Sequence, residues 1–166
     1  MKSINFVFLI LIYSALDVQG QTFRDLESKV FGRWSVTHNY YQQVLGLSER
    51  QINTYSRAQV LFSKDVTIIF DDTLYRPLYN VQKVAASNYV SDNYGMTKQD
   101  LGITSQYLYV ITILTKSIPS SKRGSKPNFV LTDEILYDGK RIYFDKDGVI
   151  FSMSSYRPPL GRNAGH

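Results

Sequence analysis

Residues 128–155 read NFVLTDEILYDGKRIYFDKDGVIFSMSS, and this stretch decides the fold. It holds short runs rich in β-branched and aromatic residues, Asn128 to Thr132, Glu134 to Tyr137, Arg141 to Phe144 and Val149 to Ser155. Asp138-Gly139 and Asp147-Gly148 stand between the last three. An Asp-Gly pair supplies the positive φ angles of a tight hairpin turn, so the stretch predicts strands laid side by side in antiparallel order.

Working outward, Tyr107 to Thr115 is the strongest strand in the chain, and residues 117–127 between it and Asn128 form a loop by composition. Gln59 to Ser63 and Val66 to Phe70 flank a Lys64-Asp65 turn and predict a hairpin. Leu78 to Ala86 alternates weakly, with Pro77 marking a break before it. From Phe31 to Asn39 the alternation places Trp34, Val36 and His38 on one face. Helical spacing of Phe23, Leu26 and Val30 predicts a short amphipathic helix over residues 22–30. Ser48 followed by Gln51 is a capping box that opens a second over 48–57, and Thr97 to Gly102 fits a single helical turn. The sum is an all-β chain with short helices, an antiparallel barrel of about eight strands, closed or nearly so.

The chain has 166 residues. Lys2, an apolar run from Ile4 to Leu16 and the small residues before Gln21 have the layout of a secretory signal peptide, so residues 1–20 are expected to be removed. The run is shorter than the roughly 20 residues of a spanning helix, and no transmembrane segment is expected in the mature chain. Residues 21–157 are then one barrel domain and 158–166 a flexible tail, in a periplasmic or secreted protein. There is no cysteine, so stability rests on packing, for which 13 Tyr, 9 Phe and one Trp provide the bulk. Lys2 and Asp17 cancel, leaving the mature chain at the same net +5 as the precursor. Its one basic cluster is Lys122-Arg123 with Lys126.

Chemistry is thinly represented. The histidines are His38 and His166 alone, which excludes a structural zinc site. Asp145-Lys146-Asp147-Gly148 begins like a calcium loop, but no glutamate closes it and a hairpin turn explains it better. No Gly-x-Ser-x-Gly elbow and no glycine-rich phosphate loop is present. These absences predict a protein that is not an enzyme, with no catalytic residues, no cofactor and no metal.

Gly32-Arg33-Trp34 at the start of the first strand resembles the lipocalin, or calycin, signature. The order of Leu47-Ser48-Glu49, the segment from Val60 to Phe70 and Tyr137-Asp138-Gly139 is similar to small exported bacterial lipocalin-like proteins. The resemblance implies that Gly32 and Trp34 close one end of the barrel and that Arg157 stacks on the Trp34 ring. Thr132-Asp133-Glu134 only echoes a second motif of the family.

Two functions remain open on this reading. In the first, a small apolar or amphipathic ligand sits in the barrel or at its mouth, touched by Trp34, Val36, His38, Tyr107, Tyr109 and Ile111. In the second, an inhibitor or immunity-type protein blocks a protein partner through the basic loop holding Lys116, Lys122, Arg123 and Lys126. Export argues against nucleic acid as a partner.

Overall fold

The computed structural model describes residues 25–42, 46–117 and 128–156. A helix, α1 (residues 25–30), leads into β1 (Gly32–Tyr41), and the capping box at Ser48 and Gln51 opens α2 (Glu49–Tyr55). Then follow β2 (Gln59–Phe62), β3 (Val66–Ile69), β4 (Asp72–Tyr75), β5 (Leu78–Ala85) and a helix α3 (Ala86–Tyr94). The chain continues through β6 (Tyr107–Ser117), β7 (Asn128–Tyr137), β8 (Arg141–Lys146) and β9 (Val149–Ser155).

The nine strands among the described residues belong to one antiparallel sheet in the order β4-β3-β2-β1-β9-β8-β7-β6-β5, curled into a half-barrel. The all-β antiparallel class read from the sequence holds. Of the two forms expected, closed or nearly closed, the sheet takes the open one: β4 and β5 are joined by Arg76 and Pro77 alone, yet they are the two edges of the sheet and do not pair. Proline has no N–H to give a ladder, and Arg76 takes a left-handed φ of 49°, so the chain turns a corner where a hairpin would have sealed the barrel.

The sheet is packed on both faces. Inside the curl lie Trp34, Val60, Phe62, Ile69, Val81, Ile111, Ile113, Ile135, Ile142, Phe144, Val149, Phe151 and Met153, covered by Leu26 and Val30 of α1 and by Ile52 and Tyr55 of α2. Outside it, Leu108, Val110, Leu136, Tyr143 and Ile150 meet Ala86 and Val90 of α3 and the turn residues Leu101 and Ile103. Alternation along β6 to β9 serves both cores, which is why these strands read as nearly continuous apolar runs.

Three contacts fold the β2–β4 side of the sheet over the rest. Phe70, at φ 52° in the two-residue turn between β3 and β4, packs on Tyr55, Phe144 and Phe151 with ring centroids 4.4, 5.6 and 4.9 Å away. Tyr79 of β5 donates to the Ser63 carbonyl at 2.8 Å and shares a hydrogen bond with the fully buried Thr67 of β3. Lys146 of β8 pairs with Asp72 of β4 at 3.2 Å.

Several elements differ from the sequence reading. The apolar runs either side of Asp133 are one strand, β7, because a register shift opposite Ile113 and Leu114 absorbs the break. A further strand, β4, follows Asp71, and α3 forms over a polar stretch that buries Ala86 and Val90 against the outer core, with Tyr89 and Tyr94 partly buried beside them. Residues 97–102 make the expected turn, with Thr97 and Asp100 exchanging hydrogen bonds and Gly102 at φ 68°. The proposed signal peptide, the tail 158–166 and Arg157 lie outside the described residues.

Candidate functional site

A shift in register between Val36 and His38 decides which residues of β1 face inward. Val36 pairs with Met153, but His38 pairs with Ser152, one residue short of strict alternation. A bulge of this kind turns the following side chains to the opposite face. His38 is therefore exposed on the outer face, apart from Trp34 and Val36, and Asn39 is the residue turned inward. There its Nδ2 donates to Ser56 Oγ at 2.6 Å.

Of the remaining residues named for ligand contact, Trp34 and Tyr109 meet on a common neighbour. Their ring centroids stand 6.3 and 6.4 Å from that of Tyr137. The indole Nε1 donates to the Val30 carbonyl at 2.8 Å, anchoring α1 to the end of the curl. Ile111 is buried in the same core, and Val36 packs against it half-buried. Tyr107 is exposed at the start of β6, with the Lys83 ammonium 4.5 Å from its ring centre. Gly32 opens β1 at φ 138°, a conformation open to glycine.

Lys116 is the penultimate residue of β6, whereas Lys122, Arg123 and Lys126 lie outside the described residues. The strands that hold this loop have an unusual register. β5 pairs with β6 as far as Leu78 and Leu114, and β8 pairs with β7 only from Ile135 onward. The β6–β7 pair runs past both limits: Thr115, Lys116 and Ser117 pair with Val130, Phe129 and Asn128, and among the described residues with no other strand. A two-stranded arm thus leaves the sheet. Between Thr115 and Thr132 the sequence carries Lys116, Lys122, Arg123 and Lys126 and no acidic residue, against a net charge of +5 for the whole chain.

No protein-family model, curated protein or solved structure matches the chain.

At the root of the arm stands Asp133, which the sequence reading met only within Thr132-Asp133-Glu134 and did not name as a site residue. It pairs with Ile113 on the inner face, half-buried beside the Lys146–Asp72 ion pair. Burial pushes its carboxyl up to about 6; Lys146 opposes this and Asp72 adds to it. The one signal in the sequence was an aspartate interrupting an apolar alternation, which also fits a loop. Leu78, Arg76 and Tyr75, all exposed, flank the same root from the β5 side. Among the described residues no group of three or more His, Cys, Asp or Glu is placed to hold a metal ion. None of the described helices is long and apolar enough to cross a membrane.

Proposed function

We propose that this is an interaction protein that engages an acidic partner protein through the β6–β7 arm. The observation that carries the reading is the concentration of charge: the β6–β7 pair outruns both neighbouring strands, and the sequence from Lys116 to Lys126 holds four cations and no acid. A long-range field from such a projection speeds encounter with an acidic surface and fixes its orientation. The rest of the molecule supplies a rigid base, since the curl behind the arm is filled by its own side chains.

The carrier reading draws less support. Trp34 and Ile111, named as ligand contacts, are buried by protein neighbours, and the inner face holds large aromatic rings where a ligand would need space. The resemblance to lipocalins at Gly32-Arg33-Trp34 and the export inferred from residues 1–20 belong to the proposal as well. On this reading the inhibitor or immunity-type protein acts outside the cytoplasm.

Binding to polyglutamate, with polylysine as control, tests the reading. Affinity for polyglutamate should fall steeply as salt rises, because the Debye length shrinks to about 8 Å at physiological ionic strength. Replacing Lys116, Lys122, Arg123 and Lys126 by Ser should lower it by roughly tenfold or more without changing the far-ultraviolet circular dichroism. Equal binding by the native and substituted proteins overturns the proposal.

A further inference from the structure

We propose that the outer face of the sheet carries a small-anion site, in which Arg141 and Tyr40 close over the Ser152 hydroxyl beside Gly102 and hold a carboxylate or phosphate group. The site shares no residue with the arm and goes beyond the arm reading by adding a small ligand.

Register brings these side chains together. Ser152 of β9 lies between His38 of β1 and Tyr143 of β8, and the rows on either side hold Tyr40 opposite Ile150 and Arg141 opposite Ser154. Tyr143 and Ile150 belong to the outer core, and alternation carries Ser152 and Arg141 to the same face. Tyr40 and Arg141 therefore reach toward each other from the rows that flank Ser152. They converge on Gly102, which takes a φ of 68° at the end of the 97–102 turn. A methyl group built on Gly102 would stand 3.3 Å from Arg141 Nη1 and 3.8 Å from Tyr40 Oη, so glycine admits both heads where a side chain would crowd them.

Three donors meet here with nothing to donate to. The half-buried Arg141 guanidinium makes no ion pair or hydrogen bond among the described residues, and the Tyr40 hydroxyl makes no hydrogen bond among them. The two carboxylates nearest Arg141 on its own strand and turn are engaged elsewhere. Asp138 accepts from the Lys140 and Arg141 amides and from the Tyr143 hydroxyl, and Asp145 accepts from Gln42 Nε2 and the Gly148 amide. Ser152 is fully buried, and its Oγ has no hydrogen-bond partner. A buried hydroxyl left unmet is costly, and an acceptor that it can share with a guanidinium and a phenol removes that cost. An oxyanion suits all three, taking charge-assisted bonds from the guanidinium fork and neutral ones from the hydroxyls. Gly102 and His38 are exposed, so the site opens to solvent, and Arg141 on its flexible stem is the group that shifts to let an ion reach Ser152.

Amide NMR titration with sodium acetate and, separately, inorganic phosphate, with sodium chloride holding the ionic strength constant, is the test. Shifts at Gly102, Ile103 and Ser152 should saturate. Arg141→Gln should weaken the binding by roughly tenfold or more, and Arg141→Lys should weaken it too, because a point charge replaces a planar fork. Ser152→Ala separates a ligand site from a structural role. Without added anion this variant should melt no lower than the native protein, having lost no partner, and the rise in melting temperature that the anion brings should shrink. Saturation by acetate alone assigns a carboxylate group, and by phosphate alone a phosphate group. Shifts that grow linearly with both salts, or that saturate equally in the native and Arg141→Gln proteins, overturn the site. So does a Ser152→Ala variant that melts lower yet responds to the anion as the native protein does.

Discussion

Lys146 Nζ lies 3.2 Å from Asp72 Oδ2, tying the middle of the sheet at β8 to its edge at β4. Five strand positions separate the two along the sheet, so the pair measures how far the sheet curls back upon itself. Both side chains keep solvent contact, and an exposed pair of this kind contributes about 0–1 kcal/mol. Its larger effect falls on the neighbouring Asp133. Lys146 holds that carboxyl down against burial, so Lys146→Met should move the Asp133 titration above about 6 while changing stability little. Carboxyl-carbon NMR across pH reads this directly; an unchanged or lower midpoint would sink the assignment.

Asp133 itself should cost stability at neutral pH. In the folded protein its carboxyl keeps its proton to about pH 6, whereas in the unfolded chain it loses it near the ordinary value of 3.8. The folded state therefore binds more protons through that window, and stability falls as pH rises from about 4 to about 6. Each factor of ten in proton affinity is worth about 1.4 kcal/mol. Screening at a half-exposed site reduces the whole to about 1–2 kcal/mol. Asp133→Asn should be more stable than the native protein by that amount at about pH 7.5 and equal to it at about pH 4. Urea unfolding at the two values makes the comparison.

Tyr79→Phe should destabilise the fold by about 1–3 kcal/mol, since Thr67 is fully buried and loses a hydrogen-bond partner with the phenol. The Ser63 carbonyl loses a donor in the same change. Burial pushes the Tyr79 phenol above its ordinary value, so the bond persists through the alkaline range that ionises exposed tyrosines. Thermal unfolding of the variant, beside a Tyr75→Phe control at an exposed site, separates loss of this bond from loss of any phenol.

Trp34→Phe keeps a ring against Tyr137 and removes the donor to the Val30 carbonyl. The expected cost is about 1–3 kcal/mol, the penalty for leaving a buried acceptor unmet. Because Trp34 is the single tryptophan, unfolding of the variant must be followed by circular dichroism. A cost below about 0.5 kcal/mol would show that solvent reaches the Val30 carbonyl and that α1 is held by apolar contact alone.

Much of the local structure was legible. The Asp-Gly pairs at 138–139 and 147–148 do set the β7–β8 and β8–β9 hairpins, with Gly139 and Gly148 at φ 98° and 85°. The box at Ser48 and Gln51 does start α2, since both of its reciprocal hydrogen bonds are made. These are short-range devices whose chemistry is complete within a few residues. Helix α3 was not legible because its stabilisation comes from Ala86 and Val90 meeting the outer core, and its own sequence is polar. The turn of His38 to the outer face also escaped, because a bulge is a choice of register between two strands more than a hundred residues apart.

The sequence by itself determined the class of the protein: alternation and turn chemistry specify antiparallel strands, and the run of cations without acids from Lys116 to Lys126 places most of the net charge in one connection. Only the tertiary structure decided that the sheet stays open between β4 and β5, that β6 and β7 outrun their neighbours, and that Asp133 meets Lys146 and Asp72 at the root of the arm. The physical reason is that strand propensity is a property of neighbouring residues, whereas strand ends, edges and the desolvation of a carboxylate depend on which distant segments pack against them.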